Sequence, residues 1–392
     1  MSEIIVRPGT LHGTVYGIPS KSDLHRLLVC AALADQPTTL QFAGKASLCD
    51  DILATLSCVQ ALGAKTEYTG DAITVVPGPV PEKPLSFDCK ESGSTLRFFL
   101  PVAAAKAEHS RFTGSGKLPK RPLSDLLNAM QANGVQVQQE TEDAYLPLTL
   151  NGHLTAGDYH LPGNVSSQYL TGLLFALPLL EGDSNLILTS ELQSSSYLDM
   201  TLHRLACFNI TVIQTGNGWH IPGGQRYRSP GTCPVDADWS NAAYWLIAKK
   251  LGADITLQGM NPDSVQGDRV IARLTAQWDN LTEIDLKNIP DLYPALAVLA
   301  AGTGKGIRFL HTERLRLKES DRLQATEALL QGIPQGQADA FHDHRIVMAA
   351  AIAASLFGPP GGVVIHDWEA VKKSYPDFFI HLKSLGGNVN EI

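Results

Sequence analysis

The sequence has few of the features that mark secreted or membrane proteins. Its six cysteines, at positions 30, 49, 58, 89, 207 and 233, include no Cys-x-x-Cys pair, and a chain of 392 residues does not depend on disulfides for a core. The N-terminus has no apolar segment of signal-peptide length, and no apolar stretch approaches the roughly 20 residues that a membrane-spanning helix requires. We therefore expect a cytoplasmic protein that binds no membrane.

Long basic runs are also missing from the sequence. The formal net charge is −8, with 31 lysines and arginines against 39 aspartates and glutamates. A general nucleic-acid surface requires clustered positive charge, so this balance argues against a nucleic-acid partner. We expect the partners to be small molecules.

Six times along the chain, a short polar cluster leads into an apolar, often alanine-rich stretch. The clusters contain, in order, Ser22, Ser94, Ser166, Asp238, Asp291 and Asp343, at intervals of 72, 72, 72, 53 and 52 residues. A capping side chain before a stretch that is apolar on nearly every side predicts a buried helix. A second helix is predicted after each, beginning near Asp50, Pro122, Leu198, Ser264, Ser320 and Tyr375. The pattern predicts six copies of one supersecondary unit.

The length and spacing of these copies predict two α/β domains. Two domains of about 200 residues suit a chain of this length, and the Gly/Pro-rich stretch 223–231 separates the third copy from the fourth. Short strands predicted at 73–76, 135–137 and 210–213 fall between helices, which favours a layered α/β fold. The fourth and fifth copies are each about 20 residues shorter, the length of a two-stranded hairpin with its turns. Each is expected to lack one hairpin.

The first polar cluster brings a lysine, a serine and an arginine into one helical turn. A capped helix with a solvated basic turn is one explanation. The other is a cradle for a phosphate or carboxylate, because a helix start offers free N–H groups and the positive end of the helix dipole. In that case Lys21 supplies a point charge, Ser22 a hydroxyl, and Arg26 a guanidinium suited to bidentate binding.

The second and third clusters allow the same two explanations. Gly93 either serves the turn before the helix or lets the backbone approach a ligand, and Arg121 lies in a basic loop before the next helix. In the third cluster, Ser166, Ser167 and Gln168 are consecutive. One serine suffices for capping, and the other polar groups are costly to bury without partners. A polyol or carboxylate ligand is therefore predicted there.

One segment in the C-terminal half, residues 314–322, holds four basic and two acidic residues in nine positions. A solvated charged face is the ordinary explanation for such a segment. The alternation of Arg316 and Lys318, however, is typical of inward strand positions. Glu319 lies among cations that would bind an anionic substrate. Such a substrate would lie close enough to Glu319 for proton transfer.

The polar clusters before the fifth and sixth buried helices also contain charged residues. Asp291 is either a simple N-cap or, if the basic clusters converge, a base that faces them. Arg345 stands in a first helical turn, where a cation opposes the helix dipole. Its position indicates that something negative lies nearby.

Seven segments together resemble the 5-enolpyruvylshikimate-3-phosphate synthase family, in order and over almost the whole chain. They read PSKSDLHR, ESGSTLRF, NVSSQYLTG, IPDLYPALA, RLRLKESDR, HDHRIVMA and KKSYPDFF. The resemblance implies two inside-out α/β barrels of three βαβαββ units each, with units four and five shortened here. It implies an N-terminal domain at 17–225 on the shikimate 3-phosphate side. A C-terminal domain of 1–16 plus 226–392 lies on the phosphoenolpyruvate side, and the active site is expected in the cleft between the domains.

The resemblance also implies which residues bind the two substrates of a monomeric enzyme that needs no cofactor and no metal. Those for shikimate 3-phosphate are Lys21, Ser22, Arg26, Ser166, Ser167, Gln168, Ser194, Asp291 and Lys318. Those for phosphoenolpyruvate are Lys21, Gly93, Arg121, Gln168, Arg322, Arg345 and Lys373.

The implied reaction is an addition followed by an elimination. Glu319 gives a proton to the enol methylene, Asp291 accepts the proton of the shikimate 5-hydroxyl, and Lys21 touches both substrates. Loss of phosphate from the tetrahedral ketal restores the enol ether, and cations stabilise the departing phosphate. The product leads through the shikimate pathway to chorismate and the aromatic amino acids.

Two alternatives remain open at this stage. The first is an enolpyruvyl transferase that acts on UDP-N-acetylglucosamine, which shares the fold but uses a cysteine-bearing loop; the matching loop here, 110–122, has no cysteine. The second is a catalytically silent, ligand-binding relative with a trimmed second domain. The presence of Lys21, Asp291 and Glu319 argues against a silent relative.

Overall fold

The computed structural model describes residues 2–392, which alternate between helices and short strands. Within these residues there are twelve α-helices, besides short 3-10 turns. They are α1 (Lys21–Leu33), α2 (Asp50–Ala61), α3 (Gly93–Lys106), α4 (Ser124–Gln131), α5 (Ser167–Ala176), α6 (Ser195–Cys207), α7 (Trp239–Lys250), α8 (Ile271–Ala276), α9 (Tyr293–Thr303), α10 (Arg322–Gly332), α11 (His344–Phe357) and α12 (Phe378–Ser384). No helix among residues 2–392 is both long and apolar enough to cross a membrane.

The six predicted first helices are confirmed, each within two residues of its expected start. They are the odd-numbered helices, and their apolar composition makes them buried on nearly all sides. In α11 every residue from His344 to Ser355 is buried. Close approach explains a glycine in α5: a Cβ on Gly172 would lie 2.1 Å from the Arg97 carbonyl oxygen of α3. The second helices follow in turn, and α8 starts seven residues later than expected, after a 3-10 turn at Gly267–Val270.

The chain divides into two compact units. The N-terminal unit comprises Lys21–Phe42 and Asp50–Val235, and the C-terminal unit comprises the chain up to Ser20, Ala43–Cys49 and Asp236–Ile392. The last crossing between the units follows Val235, ten residues after the border predicted at 225. The reason is that the intervening strand Thr232–Pro234 pairs with Thr38–Gln41 of the N-terminal unit.

Three four-stranded sheets of the N-terminal unit share one pattern, a parallel pair followed by two antiparallel pairings. In sheet order they are β14 (Thr232–Pro234), β3 (Thr38–Gln41), β5 (Ala72–Val76) and β4 (Lys65–Tyr68); β6 (Leu85–Asp88), β7 (His109–Thr113), β9 (Leu148–Asn151) and β8 (Gln136–Gln139); and β10 (Asp158–Leu161), β11 (Ser184–Leu188), β13 (Gly218–Ile221) and β12 (Ile213–Thr215).

The C-terminal unit has one sheet of this pattern and two smaller ones. The four-stranded sheet is β18 (Gln337–Asp339), β19 (Val363–His366), β1 (Glu3–Arg7) and β20 (Asn388–Glu391). The two-stranded sheets pair β15 (Asp254–Gln258) with β2 (His12–Tyr16), and β16 (Glu283–Asp285) with β17 (Arg308–Leu310), both in parallel. Three of the four strands in these small sheets, β15, β16 and β17, lie between Asp238 and Asp343, the part of the chain that holds the two shorter copies.

Two predicted strands are wrong. Of 210–213 only Ile213 lies in a strand, because Asn209 takes a positive φ of 61° and the Ile210 N–H bonds back to the Leu205 carbonyl, which closes the end of α6. Of the alternating residues, Arg316 lies in a 3-10 helix, Glu313–Leu317, and Lys318 follows the end of that helix. Its Arg316 is exposed rather than inward.

Candidate active site

The first turn of α1 carries a lysine held by a carboxylate. Lys21 Nζ donates to Asp51 Oδ2 at 2.7 Å, from the first turn of α2, and the two side chains are only 15% and 16% exposed. The helix begins at Lys21, so Ser22 lies inside the first turn. Asp51 was not predicted as a site residue; its signal was a pair of aspartates at a helix start.

Arg26, one turn further along α1, is buried and bound by the protein itself. Its Nε donates to Thr201 Oγ1 at 2.9 Å, Nη1 to the Ser22 carbonyl at 2.5 Å, and Nη2 to the Tyr197 carbonyl at 2.8 Å. The guanidinium also lies over the Phe98 ring, 5.4 Å from its centroid. Burial lowers the pKa of Arg26 to about 10, so it stays cationic at neutral pH. Arg26 thus contributes a positive charge, while hydrogen bonds within the protein already occupy all three of its side-chain nitrogens.

The start of α3 is bordered by two guanidinium groups. A Cβ on Gly93 would lie 2.6 Å from Arg97 Nη1 and 2.8 Å from Arg121 Nη1, so only glycine leaves this space open. The predicted cap Ser94 lies inside the helix, and Ser92 caps it instead. Arg97 was missed as a site residue, although it follows Gly93 by one helical turn just as Arg26 follows Ser22.

Gln168 at the start of α5 connects this region to the third cluster. Its Oε1 accepts from Arg97 Nη1 at 2.7 Å, and its Nε2 donates to Ser94 Oγ at 2.9 Å. Ser166 caps α5 by accepting the Gln168 N–H at 3.3 Å, and Ser167 is buried in the first turn. Gln168, one of the polar side chains that exceeded the need for a cap, therefore joins α3 to α5.

Ser194 is the last of the residues predicted in the N-terminal unit. It is buried at the N-cap position of α6, with a positive φ of 56°. A left-handed backbone is strained for a serine, and such strain is typical of functional sites.

In the C-terminal unit, Asp291 gathers three cations. Its Oδ1 accepts from Arg322 Nη1 at 2.7 Å and lies 3.5 Å from Lys318 Nζ, while Oδ2 accepts from Arg345 Nη2 at 3.0 Å. The residue lies in a 3-10 turn, Pro290–Leu292, and does not cap α9. Its carboxylate is the negative group that Arg345 required.

Arg322 is the hub of these ion pairs. Its side chain is 1% exposed and also donates to Asp343 Oδ2 at 2.8 Å and to Glu319 Oε2 at 2.6 Å. Burial alone would lower the pKa of Arg322, but the carboxylates of Asp343, Glu319 and Asp291 outweigh it and raise the pKa well above the ordinary value. Arg322 is therefore permanently charged.

The other predicted residues of this unit differ in setting. Burial lowers the pKa of Lys318, against the opposing effect of Asp291. Arg345 stands beside the N-cap of α11, where Asp343 Oδ1 accepts its backbone N–H at 3.0 Å. Lys373 Nζ donates to the His342 carbonyl at 2.9 Å.

One buried carboxyl group of the C-terminal unit was not predicted. Asp268 is 4% exposed, accepts a short hydrogen bond from the Ser240 hydroxyl, and has no hydrogen-bond partner for Oδ1. Burial, with the charge of Asp291 next, raises the pKa of Asp268 to about 7, although Arg345 acts in the opposite direction. The only signal for it in the sequence was its hydrogen-bond donor Ser240, which lies two residues after Asp238 in the fourth polar cluster.

The fold and the charged groups together define an α/β protein that carries clusters of buried cations and carboxylates near the starts of its helices. A family model described as EPSP synthase (3-phosphoshikimate 1-carboxyvinyltransferase) matches residues 5–382. The chain belongs to this family.

Relatives match along the whole chain. A protein of Clostridium kluyveri named 3-phosphoshikimate 1-carboxyvinyltransferase is 36% identical over 432 residues, which cover 100% of this chain and 99% of the relative. A protein of the same name from Clostridium acetobutylicum is also 36% identical, over 431 residues, with coverage of 100% and 99%.

Solved structures share the fold. EPSP synthase from Acinetobacter baumannii superposes with a TM-score of 0.79 at 22% identity, and both chains are covered completely. The enolpyruvyl transferase NikO from Streptomyces tendae superposes with a TM-score of 0.72 at 16% identity, over 100% of this chain and 98% of its own. At these identities the likeness establishes an α/β fold of the same kind.

Proposed function

We propose that the protein is a 3-phosphoshikimate 1-carboxyvinyltransferase, which transfers the enolpyruvyl group of phosphoenolpyruvate to the 5-hydroxyl of shikimate 3-phosphate and releases phosphate. The observation that carries the proposal is the family match over residues 5–382, together with relatives of that name at 36% identity over the whole chain. The step belongs to the shikimate pathway to chorismate and the aromatic amino acids.

Shikimate 3-phosphate is assigned to the first turns of α1 and α5 and to Ser194. Lys21 and the charge of Arg26 attract the phosphate and carboxylate, and serine hydroxyls bind the phosphate oxygens. The buried setting of Ser167 and the engagement of Gln168 by Arg97 support a preorganised pocket. From the C-terminal unit, Asp291 and Lys318 are assigned to the same substrate.

Phosphoenolpyruvate is assigned to the start of α3 and to cations of the C-terminal unit. The bare backbone at Gly93, bordered by Arg97 and Arg121, is suited to a small anion. Arg322, Arg345 and Lys373 are assigned to it as well. Lys21 and Gln168 are assigned to both substrates, so each of them is expected to contact both ligands.

The chemistry requires one acid and one base. Glu319 protonates the methylene carbon of phosphoenolpyruvate, the 5-hydroxyl oxygen attacks the neighbouring carbon, and Asp291 takes the hydroxyl proton. Glu319 takes a proton back from the new methyl group as the enol ether forms, and the departing phosphate takes up the proton held by Asp291, so both carboxyl groups return to their starting states. The ion pairs of Asp291 with Lys318, Arg322 and Arg345 support its role, because they hold the carboxylate among the cations assigned to the substrates.

The repeated sheets support a finer proposal about architecture. We propose six related units, three in each of two inside-out α/β barrels, with the fourth and fifth units shortened to a parallel strand pair. The recurrence of one strand order in four sheets, and of bare parallel pairs in two, supports it. We also propose that the protein is a cytoplasmic monomer. Light scattering in solution tests the monomer by measuring its mass.

Phosphate release from phosphoenolpyruvate tests the function. Shikimate 3-phosphate is expected to trigger release, and UDP-N-acetylglucosamine is expected to give none. Phosphate release with the sugar nucleotide but not with shikimate 3-phosphate would favour the other transferase. If no phosphate is released with either acceptor, the result would favour a silent relative. Lys305, whose ammonium is bound by the Trp278 and Asp279 carbonyls, offers a control: Lys305→Met is expected to retain activity where Lys21→Met loses it.

A further inference from the structure

A buried chain of side-chain hydrogen bonds links α1, α2 and α3 near their N-termini. His25 Nδ1 lies 2.7 Å from Thr55 Oγ1, Thr55 Oγ1 lies 2.7 Å from Thr95 Oγ1, and Thr95 donates to Ser92 Oγ at 2.7 Å. Ser92, the N-cap of α3, also accepts the Thr95 backbone N–H. All four residues are at most 1% exposed. These hydrogen bonds therefore connect the start of α3 to α1 through side chains that are buried from solvent.

The chain has a direction, because a hydroxyl has one proton to donate. Thr95 uses its proton on Ser92, so it can only accept from Thr55, whose single proton is shared between Thr95 Oγ1 at 2.7 Å and the Asp51 carbonyl at 3.2 Å. Thr55 has no proton left for His25, so His25 Nδ1–H donates to Thr55. Nε2 of His25 is then unprotonated, and it is buried without a hydrogen-bond partner. Burial, with Lys21 and Arg26 next, lowers the pKa of His25 well below its ordinary value. His25 is thus a fixed neutral donor.

A second threonine makes a matching bridge. Thr201 Oγ1 in α6 accepts from Arg26 Nε at 2.9 Å and lies 2.9 Å from Thr171 Oγ1 in α5. Thr201 also approaches the carbonyl of Tyr197, one turn earlier, at 3.0 Å, as Thr55 approaches that of Asp51 at 3.2 Å. Each threonine of a second helix thus bridges two buried first helices.

We propose that these two threonines are positioning residues that divide the substrates between them: Thr55 sets the phosphoenolpyruvate groups, and Thr201 sets the shikimate 3-phosphate groups. The inference rests on the proposed function. Thr55 fixes the start of α3, which carries Gly93, relative to α1. Thr201 fixes the Arg26 guanidinium relative to α5, which carries Ser167. Small displacements of such groups weaken substrate binding.

Valine substitutions test the bridges, because valine has nearly the shape of threonine without its hydroxyl. Thr55→Val is expected to raise the KM for phosphoenolpyruvate about fivefold, the effect of one lost hydrogen bond, and to leave the KM for shikimate 3-phosphate within twofold. Thr201→Val is expected to show the reverse division. Serine at either position restores the hydroxyl and is expected to return both KM values to within twofold of the wild type.

The chain offers a matched control for the loss of a buried threonine hydroxyl. Thr326 in α10 is fully buried, and its hydroxyl has no hydrogen-bond partner. Thr326→Val is therefore expected to leave both KM values unchanged. If Thr55→Val or Thr201→Val does not fold, Thr95→Val and Thr171→Val break the same bridges from the other end and must give the same division.

Equal changes in both KM values, unchanged values, or failure of serine to restore them would overturn the positioning proposal while leaving the proposed function intact. A wild-type protein that releases no phosphate with shikimate 3-phosphate overturns the proposed function, and the positioning proposal falls with it. The wild-type assay therefore separates the two failures.

Discussion

Arg322 and Asp343 form an ion pair in which neither side chain reaches solvent. Nε of Arg322 lies 2.8 Å from Oδ2 of Asp343, with side-chain exposures of 1% and 0%. The Ser320 hydroxyl donates to the same carboxylate oxygen at 3.0 Å. Because a buried charge without its partner is costly, loss of either member of this pair is expected to destabilise the fold.

Loss of the Arg322 guanidinium should therefore destabilise the protein. Arg322→Met leaves Asp343 as an uncompensated buried charge and is expected to lower the free energy of unfolding by about 3–5 kcal/mol. Urea denaturation measures the change. Arg308→Met, which breaks an exposed ion pair with Glu283, is the comparison and is expected to cost at most about 1 kcal/mol. Equal stabilities of the two variants would contradict the buried-pair interpretation.

Asp291→Asn should separate chemistry from binding. The amide keeps the size of the side chain but cannot accept the hydroxyl proton, so kcat is expected to fall by about 10²-fold to 10⁴-fold. Binding of shikimate 3-phosphate, measured by calorimetry, is expected to stay within about tenfold. Asp279→Asn, at an exposed carboxylate paired with Lys250, serves as the control with unchanged kcat. Turnover of Asp291→Asn near the wild-type rate would remove Asp291 from the role of base.

Gly93→Ala should act on phosphoenolpyruvate alone. The added methyl group would lie 2.6 Å from Arg97 Nη1 and 2.8 Å from Arg121 Nη1, so both guanidinium groups must move. The KM for phosphoenolpyruvate is expected to rise at least tenfold, while that for shikimate 3-phosphate changes little. Gly306→Ala, where nothing lies within 4 Å of the new Cβ, is the control. A larger effect on shikimate 3-phosphate would mean that Gly93 is assigned to the wrong substrate.

Asp268→Asn should change how stability depends on pH. Because folding raises the pKa of Asp268 to about 7, from an ordinary value of about 4, the native state favours the protonated carboxyl. Its contribution is fully present below about pH 4 and is lost as the pH rises through about 7. Asparagine does not titrate, so the stability of the variant relative to the wild type is expected to be higher at pH 8 than at pH 5.

Thermal unfolding at the two pH values checks this expectation. The control is Asp279→Asn, since the hydrogen bond from Lys250 lowers the pKa of Asp279 and its wild-type pairing persists at pH 8. This control should not gain relative stability at high pH. The same difference for Asp268→Asn at both pH values would contradict a raised pKa for Asp268.

The sequence by itself located the buried helices, because the signals are local. A capping side chain followed by a continuous apolar stretch predicts where a helix begins, and Ser166, Asp238 and Asp343 are N-caps as expected. The motifs that contain Ser166 and Asp343 also carried the family resemblance, since they are short continuous segments. Asp291 differs: a 3-10 turn intervenes, and the carboxylate binds cations instead of a helix start.

Only the tertiary structure decided which charges pair. Lys21 and Asp51 are 30 positions apart in the chain, and Arg97 and Gln168 are 71 apart, so no local pattern links them. Two of the three nitrogens of Arg26 are likewise bound by groups that α6 brings into reach, the Thr201 hydroxyl and the Tyr197 carbonyl. Hydrogen bonds and ion pairs act over about 3 Å in space, and the distance along the chain does not determine them; the packing of the buried helices does.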